Sequence, residues 1–405
     1  MHHHRIALAS ALTVGLFAGL RESTACDTPV VPHSQKRHVD LVICLDTSGS
    51  MQGLIESAKQ KLWGIVNDLA LAEPTPELRV ALLTYGNDGH NPENGWVNIE
   101  SGLTEDLDLI SQKLFALTTN GGTELVARVI HNSLTKLAWH PSADALKLIV
   151  VAGNESADQD QEMPFRDVCK QTISQGIMIN SIYCHYNSDD PTVELGWREV
   201  ARLADGQYAA IDHDNGTVVI ATPFDDQLAD LSTATNATYI PIGTNGQRAW
   251  ANQTAQDANA ASLNSAAAAS RAQTKGSAIY VCSWDLVDAF NLKNLKIEDV
   301  EKEDLPENMQ EMTVKERTAY VNDMSQKRAG IQKQINELND KRLAFITEEM
   351  KRQNLDDSKS FDNAIRKAVR EQAAAKGFTF KEKTASADDN QGEKTESGTK
   401  ESASG

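Results

Sequence analysis

Apolar and polar positions alternate along this chain with two different periods, and the changeovers mark its elements. Val39 to Leu45 is an apolar run broken only by Asp40, with the length and β-branched content of a buried parallel strand. A helical pattern follows from Gln52 to Leu71, and Glu73-Pro74-Thr75-Pro76 then breaks the chain. Leu78 to Tyr85 reads as a second strand and Trp96 to Ile99 as a short edge strand, with a polar loop between them. Leu107, Ile110, Leu114 and Leu117 have helical spacing, and a further helix is expected from Leu125 to Leu137. Leu146 to Ala152 is a buried strand and Phe165 to Gln175 a helix stopped by Gly176. Met178 to Cys184 and Tyr208 to Ile211 are strands, Val193 to Ala204 is a helix, and Pro223 to Thr235 a closing helix. Strands separated by helices at this rhythm predict an α/β fold, a mostly parallel central sheet with helices on both faces.

Beyond residue 243 the pattern changes to an α-helical C-terminal region, 244–381. Ala255 to Thr274 is Ala-rich and helical. Val314 to Gln353 holds no Pro and only Gly330 among many charges, and a helix of that length reaches about 60 Å. Its apolar stripe runs through Met324, Ile331, Ile335, Leu338 and Phe345, interrupted by Arg328 and Arg342. The stripe suits either a two-stranded coiled coil or an arm that folds back on its own chain. Residues 382–405 are small, polar and charged, a composition expected to stay disordered.

The chemistry concentrates where the first strand meets the first helix, at Asp46-Thr47-Ser48-Gly49-Ser50-Met51. In open α/β sheets such turns line the crevice at the carboxyl ends of the strands, where ligands bind. Asp46, Ser48 and Ser50 alternate, so one carboxylate and two hydroxyls can converge on a point and offer hard oxygens to Mg²⁺, Mn²⁺ or Ca²⁺. Helix capping by Ser48 or Ser50 explains one hydroxyl, but neither the second nor the carboxylate. A phosphate cradle would not set Asp46 against its anion, and no Gly-Lys-Ser/Thr follows. A dehalogenase-like phosphatase needs a second carboxylate where Ser48 stands.

This D-x-S-x-S string, with its flanking strand and helix, resembles the metal-ion-dependent adhesion site of von Willebrand factor type A (VWA) domains. The likeness covers about 205 residues, 39–243, and implies a Rossmann-like VWA fold. In that family a threonine from a second loop and an aspartate from a third join the first loop. Gly121-Gly122-Thr123-Glu124 resembles the second-loop motif, which implies a hydroxyl-ligand role for Thr123; an N-cap role is the plain alternative. The third loop departs: Ala152-Gly153-Asn154-Glu155 places Gly153 at the usual aspartate position. Asn154 or Glu155 is the nearest substitute, with Asp158 and Asp160 behind them. The Gly-Asn-Glu turn with a long helical tail also resembles exported proteins of unassigned role. With Asp46 the one sure anion, divalent affinity is expected on the order of 10⁻⁴ to 10⁻³ M.

Whole-chain properties narrow the partners. The 405 residues carry a net charge of −18, which argues against a nucleic-acid backbone or an anionic membrane surface. Residues 1–25 resemble an export signal: Arg5, an apolar Ile6 to Leu20, and Ser23-Thr24-Ala25 as a cleavage site, with a linker over 26–38. Cys26 directly after Ala25 raises lipid anchoring as a second route, although Ser23 is not the usual Leu-like residue. No later stretch is long enough for a transmembrane span. The five cysteines show no zinc spacing, and Cys169 and Cys184 are expected to lie roughly 11 Å apart along their elements, beyond disulfide reach. Asp212-His213-Asp214 could ligate a metal but reads as a turn, and Tyr85-Gly86-Asn87-Asp88 ends a strand on the same face as the metal loops and reads as a solvated loop, with a place at the rim of the site as the alternative.

The expectation is an exported, non-enzymatic protein that binds a protein partner through a divalent cation, completed by the partner's Asp or Glu. The rivals are a metal-independent scaffold using the long helix and a metal-assisted hydrolase with Glu155 or Glu124 as its base.

Overall fold

A computed structural model describes residues 37–185, 190–212, 219–355 and 360–380. The export signal, Cys26, His213, Asp214 and the 382–405 tail lie outside the described residues. The chain runs β1 (His38–Asp46), α1 (Gln52–Leu69), a short β2 (Ala72–Glu73), β3 (Glu77–Tyr85) and β4 (Val97–Thr104). Next come α2 (Leu107–Phe115), α3 (Val126–Lys136), β5 (Leu146–Gly153), α4 (Phe165–Ser174), β6 (Met178–His185), α5 (Pro191–Leu203) and β7 (Tyr208–Asp212). Six strands form one sheet in the order β4-β3-β1-β5-β6-β7, parallel except for β4 against β3. The chain lays β3 on one side of β1 and β5 on the other, so the strand order reverses at β1 and opens a crevice at its carboxyl end.

The edge strand is longer than the expected Trp96–Ile99. β4 continues to Thr104 through a register shift opposite Val80 to Leu83. Beyond Ile99 the strand reads Glu100-Ser101-Gly102 before Leu103, so no apolar run marks it.

Alternation along β1 divides the core. Leu41, Ile43 and Leu45 pack with α1, α2 and a late C-terminal helix, whereas Val42 and Cys44 pack with α3, α4 and α5. Asp46 continues the second set.

The C-terminal region comprises α6 (Asp225–Asn236), α7 (Gly243–Leu263), α8 (Ser265–Lys275), α9 (Leu286–Asn291), α10 (Glu307–Gln310), α11 (Val314–Gln353), α12 (Phe361–Ala375) and β8 (Thr379–Phe380). The Ala-rich stretch is two helices. Asn264 between them is extended, and its side chain caps α8 by accepting the Ala267 N–H at 2.9 Å. The helix expected to close the sheet, α6, lies instead against α8 and α11. The cover beside α1 is α12, through Phe361, Ile365, Val369 and Ala373. Arg370 Nε reaches Asp68 Oδ2 at 2.7 Å, Gln372 and Asn180 exchange two side-chain bonds of 2.9 Å, and β8 pairs with β2.

The long helix spans the expected residues and begins on a capping box between Thr313 and Glu316. It folds onto its own chain. Arg328 and Arg342 are anchors rather than breaks in its buried stripe. Arg328 pairs with Asp285 and Asp288 at 2.7 Å each, bonds Thr238, and lies 4.0 Å over the Tyr239 ring. Arg342 pairs with Asp225 at 2.7 Å. A third buried arginine, Arg271, ties α8 to the sheet side: it bonds Asp108 and Asp257 and sits between the rings of Trp63 and Tyr280.

Because Asp285 is fully buried, removing its partner leaves an unpaired charge in the interior. Arg328→Ala should therefore cost about 3–5 kcal/mol in urea unfolding, with the slope unchanged. A loss below about 1 kcal/mol, the scale of an exposed ion pair, would contradict the anchoring role.

Candidate metal centre

The crevice forms where β1, β3 and β5 end side by side, with Asp46 opposite Tyr85 and Leu45 opposite Ala152. Backbone bonds stitch the first loop in place. The Thr47 N–H donates to Tyr85 O at 2.8 Å, Gly49 N–H to Gly121 O at 3.0 Å, and Asn120 N–H to Thr47 O at 3.0 Å. Asn87 Nδ2 reaches both Thr47 O and Thr118 O, so the Tyr85–Asp88 segment does form part of the rim.

Within this frame the Ser48 N–H donates to Asp46 Oδ1 at 2.8 Å, and the Ser48 and Ser50 hydroxyls stand 3.2 Å apart. The helix cap is Met51, with no side-chain bond to the helix, so the cap role weighed for the two serines is not what this geometry holds.

In the third loop Asn154 donates through Nδ2 to Ser50 Oγ at 3.2 Å, which leaves its Oδ1 buried without a partner. Glu155 is exposed on the rim, its backbone carbonyl accepting the Trp197 Nε1–H at 2.8 Å. Gly153 has a steric reason. A Cβ there would lie 2.3 Å from the Tyr85 hydroxyl and 3.0 Å from Asp46 Oδ2. The hydroxyl, donating to Ala152 O at 3.0 Å, fills the volume that an aspartate side chain would need.

The second loop brings a further side chain to the crevice. Thr123 is half-buried and bridges Gly86 through its backbone. The next residue, Glu124, is only 4% exposed and turns its side chain inward. Gly86 has φ +81°, and a Cβ there would meet Glu124 Cγ at 2.8 Å, Asp46 Oδ1 at 2.9 Å and Ser48 Cβ at 3.5 Å. Those three side chains therefore converge over one glycine. Glu124 was absent from the sequence-derived ligand set; its signal was an acidic residue directly after the Gly-Gly-Thr turn.

Burial chiefly pushes the Asp46 carboxyl up to about 7, while the Ser48 N–H and hydroxyl draw it back and the Glu155 charge adds to the rise. Burial first and the Asp46 charge second push Glu124 up to about 8. Asp46 Oδ2 and Glu124 Oε2, like Asn154 Oδ1, are buried with no hydrogen-bond partner at bonding geometry. Buried carboxyl oxygens left unsatisfied beside hydroxyls and an amide oxygen, and ready to give up their protons to a cation, are the donor set of a hard divalent ion. The residues fit such an ion. Among the described residues no three His, Cys, Asp or Glu side chains group as a metal site, so any ion here would take hydroxyl or amide oxygens as well.

The other candidates are engaged elsewhere. Asp158 pairs with Arg166, and Asp160 with Arg128. The four described cysteines are buried and unpaired.

A family model for the von Willebrand factor type A domain matches residues 40–206. Those residues form a VWA domain. Solved structures with similarity to this chain include the conserved hypothetical protein BatB from Bacteroides thetaiotaomicron. It is 16% identical over 43% of this chain and 90% of that one, with a TM-score of 0.33. A von Willebrand factor type A protein from Catenulispora acidiphila is 15% identical over 44% and 40% of the two chains, TM-score 0.35. Proximal thread matrix protein 1 from the mussel byssus, with a zinc-occupied MIDAS motif, is 14% identical over 44% and 43%, TM-score 0.35. This chain spans less than half the length of the last two. No curated protein matches the sequence. Among the described residues, no helix is long and apolar enough to cross a membrane.

The raised carboxyls of the VWA crevice carry a pH dependence. A carboxyl that holds its proton more tightly when folded adds stability that is fully present below its unfolded pKa and is lost as pH rises from there through its folded pKa. In chelator, Glu124→Gln should therefore melt progressively higher than the unsubstituted chain between about pH 5 and about pH 8. A difference independent of pH would contradict the buried, proton-holding geometry.

Proposed function

We propose that the crevice binds a divalent cation and, through it, a protein partner. VWA domains are protein-interaction modules and commonly hold a divalent metal at this position. The observation that carries the reading is the set of unsatisfied buried oxygens, Asp46 Oδ2 and Asn154 Oδ1, on side chains that meet the first loop through the Ser48 N–H and the Ser50 hydroxyl. In this reading Asp46, Ser48, Ser50 and Asn154 hold the ion, with Thr123 and Glu155 at the rim. A bound cation supplies positive charge at the crevice mouth, which suits an incoming Asp or Glu from the partner. Mg²⁺, Mn²⁺ and Ca²⁺ all suit oxygen donors. The role is binding rather than catalysis. The charged start, apolar run and small-residue site within residues 1–25 support export.

Titration calorimetry of the unsubstituted chain and of Asp46→Asn, with Mg²⁺ and Mn²⁺, tests the site. Heat is expected from the unsubstituted chain and none from Asp46→Asn, with melting of the variant in chelator showing that it stays folded. The absence of heat up to several millimolar (about the weak end of calcium-type sites) would contradict the reading. Partner capture that ignores chelator would replace it with a metal-independent scaffold.

A further inference from the structure

Gly153 has no room for an acidic side chain, because the Tyr85 hydroxyl fills the space its Cβ would take. We propose that Glu124 is the second anionic ligand of the cation site, taking over the charge that the third loop cannot supply. This rests on the divalent-cation reading above and goes beyond it by assigning a ligand outside the Asp46, Ser48, Ser50, Thr123, Asn154 and Glu155 set.

Three observations carry the assignment. First, Glu124 is 4% exposed and lies over Gly86 together with Asp46 and Ser48. Any side chain at position 86 would collide with Glu124 Cγ and Asp46 Oδ1, so the glycine leaves the two carboxylates free to approach. Second, Glu124 Oε2, Asp46 Oδ2 and Asn154 Oδ1 have no hydrogen-bond partner at bonding geometry, each on a side chain at least nine-tenths buried, and among the described residues the one donor side chain close to the Glu124 carboxyl is the Ser48 hydroxyl. A purely structural glutamate in this setting would be expected to meet a cationic side chain or several N–H donors, as Asp160 meets Arg128 and the Glu162 and Met163 N–H groups. Third, the backbone aims Glu124 inward: its N–H donates to Gln159 Oε1 at 2.7 Å, and Thr123 is fixed by its bridge to Gly86. Gly153 completes the argument by exclusion, because the Tyr85 hydroxyl occupies its Cβ position and leaves no room for an acidic side chain there.

An exchange of this kind keeps two carboxylates in the site while moving one of them from the β5 end to the turn before α3. Two anions predict tighter binding than Asp46 alone would give, because charge count sets affinity in oxygen-ligand sites. Glu155, exposed at the rim, then has no ligand role to fill.

The test is titration of the full chain with Mn²⁺ alone and Mg²⁺ alone, comparing Glu124→Gln, Glu124→Ala and Glu155→Gln with Asp46→Asn. Melting in chelator reports whether each variant is folded, and either folded Glu124 variant suffices. Glu124→Gln is expected to weaken Mn²⁺ binding by about tenfold or more, Glu155→Gln to change it less than about threefold, and Asp46→Asn to abolish it. Glu124 variants that bind Mn²⁺ like the unsubstituted chain, while Asp46→Asn does not bind, would overturn the Glu124 assignment and leave the cation site standing. Binding that survives in Asp46→Asn as well would overturn the site itself.

Discussion

The desolvated carboxylate of Asp46 is the constraint on which the site depends. It ends the central strand, fully buried, with a tyrosine ring on one side and a second buried carboxyl facing it. A charge held out of water this way is unfavourable unless something answers it. The protein answers one oxygen with the Ser48 N–H and leaves the other open. The surrounding loops are built to keep that open oxygen in place. Backbone bonds from Thr47, Gly49 and Asn120 tie the first loop to β3 and to the second loop, and Asn87 closes the rim. Such a crevice is preorganised: its donors are oriented before any ligand arrives.

The helical region belongs to the same structural argument. α12 covers the sheet beside α1 and places Phe361, Ile365 and Val369 in the core that also holds Leu41, Ile43 and Leu45. The end of the described chain therefore contributes to the packing beneath the strand that presents Asp46. The long helix is held by Arg328 and Arg342, each meeting a buried aspartate from the segment between the sheet and that helix. Buried ion pairs of this sort add little net stability, but they specify register, because a helix shifted by one turn would strand both partners.

Much of this was legible in the sequence. The strand from Val39 into Asp46 and the helix from Val314 to Gln353 read directly, because an unbroken apolar run and a long stretch without breakers each admit few alternatives. What escaped has physical causes. β4 beyond Ile99 reads Glu100-Ser101-Gly102 before Leu103, so no apolar run marked it. α6 has the composition of a sheet-covering helix, yet tertiary packing gave that place to α12, more than a hundred residues later. Arg328 and Arg342 read as interruptions because periodicity counts a charge as a solvent-facing position, whereas aspartates distant in sequence neutralise both. At the site, Asp46, Ser48, Ser50 and Asn154 lie within one chain of hydrogen bonds. Glu124 did not stand out, since its inward turn depends on Thr123 pairing with Gly86. Gly153 reads in sequence as a lost ligand; the Tyr85 hydroxyl that fills its Cβ position is visible only in three dimensions.

The central claim, that Asp46 anchors a divalent cation at the head of β1, is tested most directly by diffraction from crystals of the protein grown with manganese. The account predicts one anomalous manganese peak in the crevice, within about 2.0–2.6 Å of the Asp46 carboxylate and of the Ser48 or Ser50 hydroxyl. An ordered crevice with no manganese, or manganese bound only elsewhere on the chain, would contradict it.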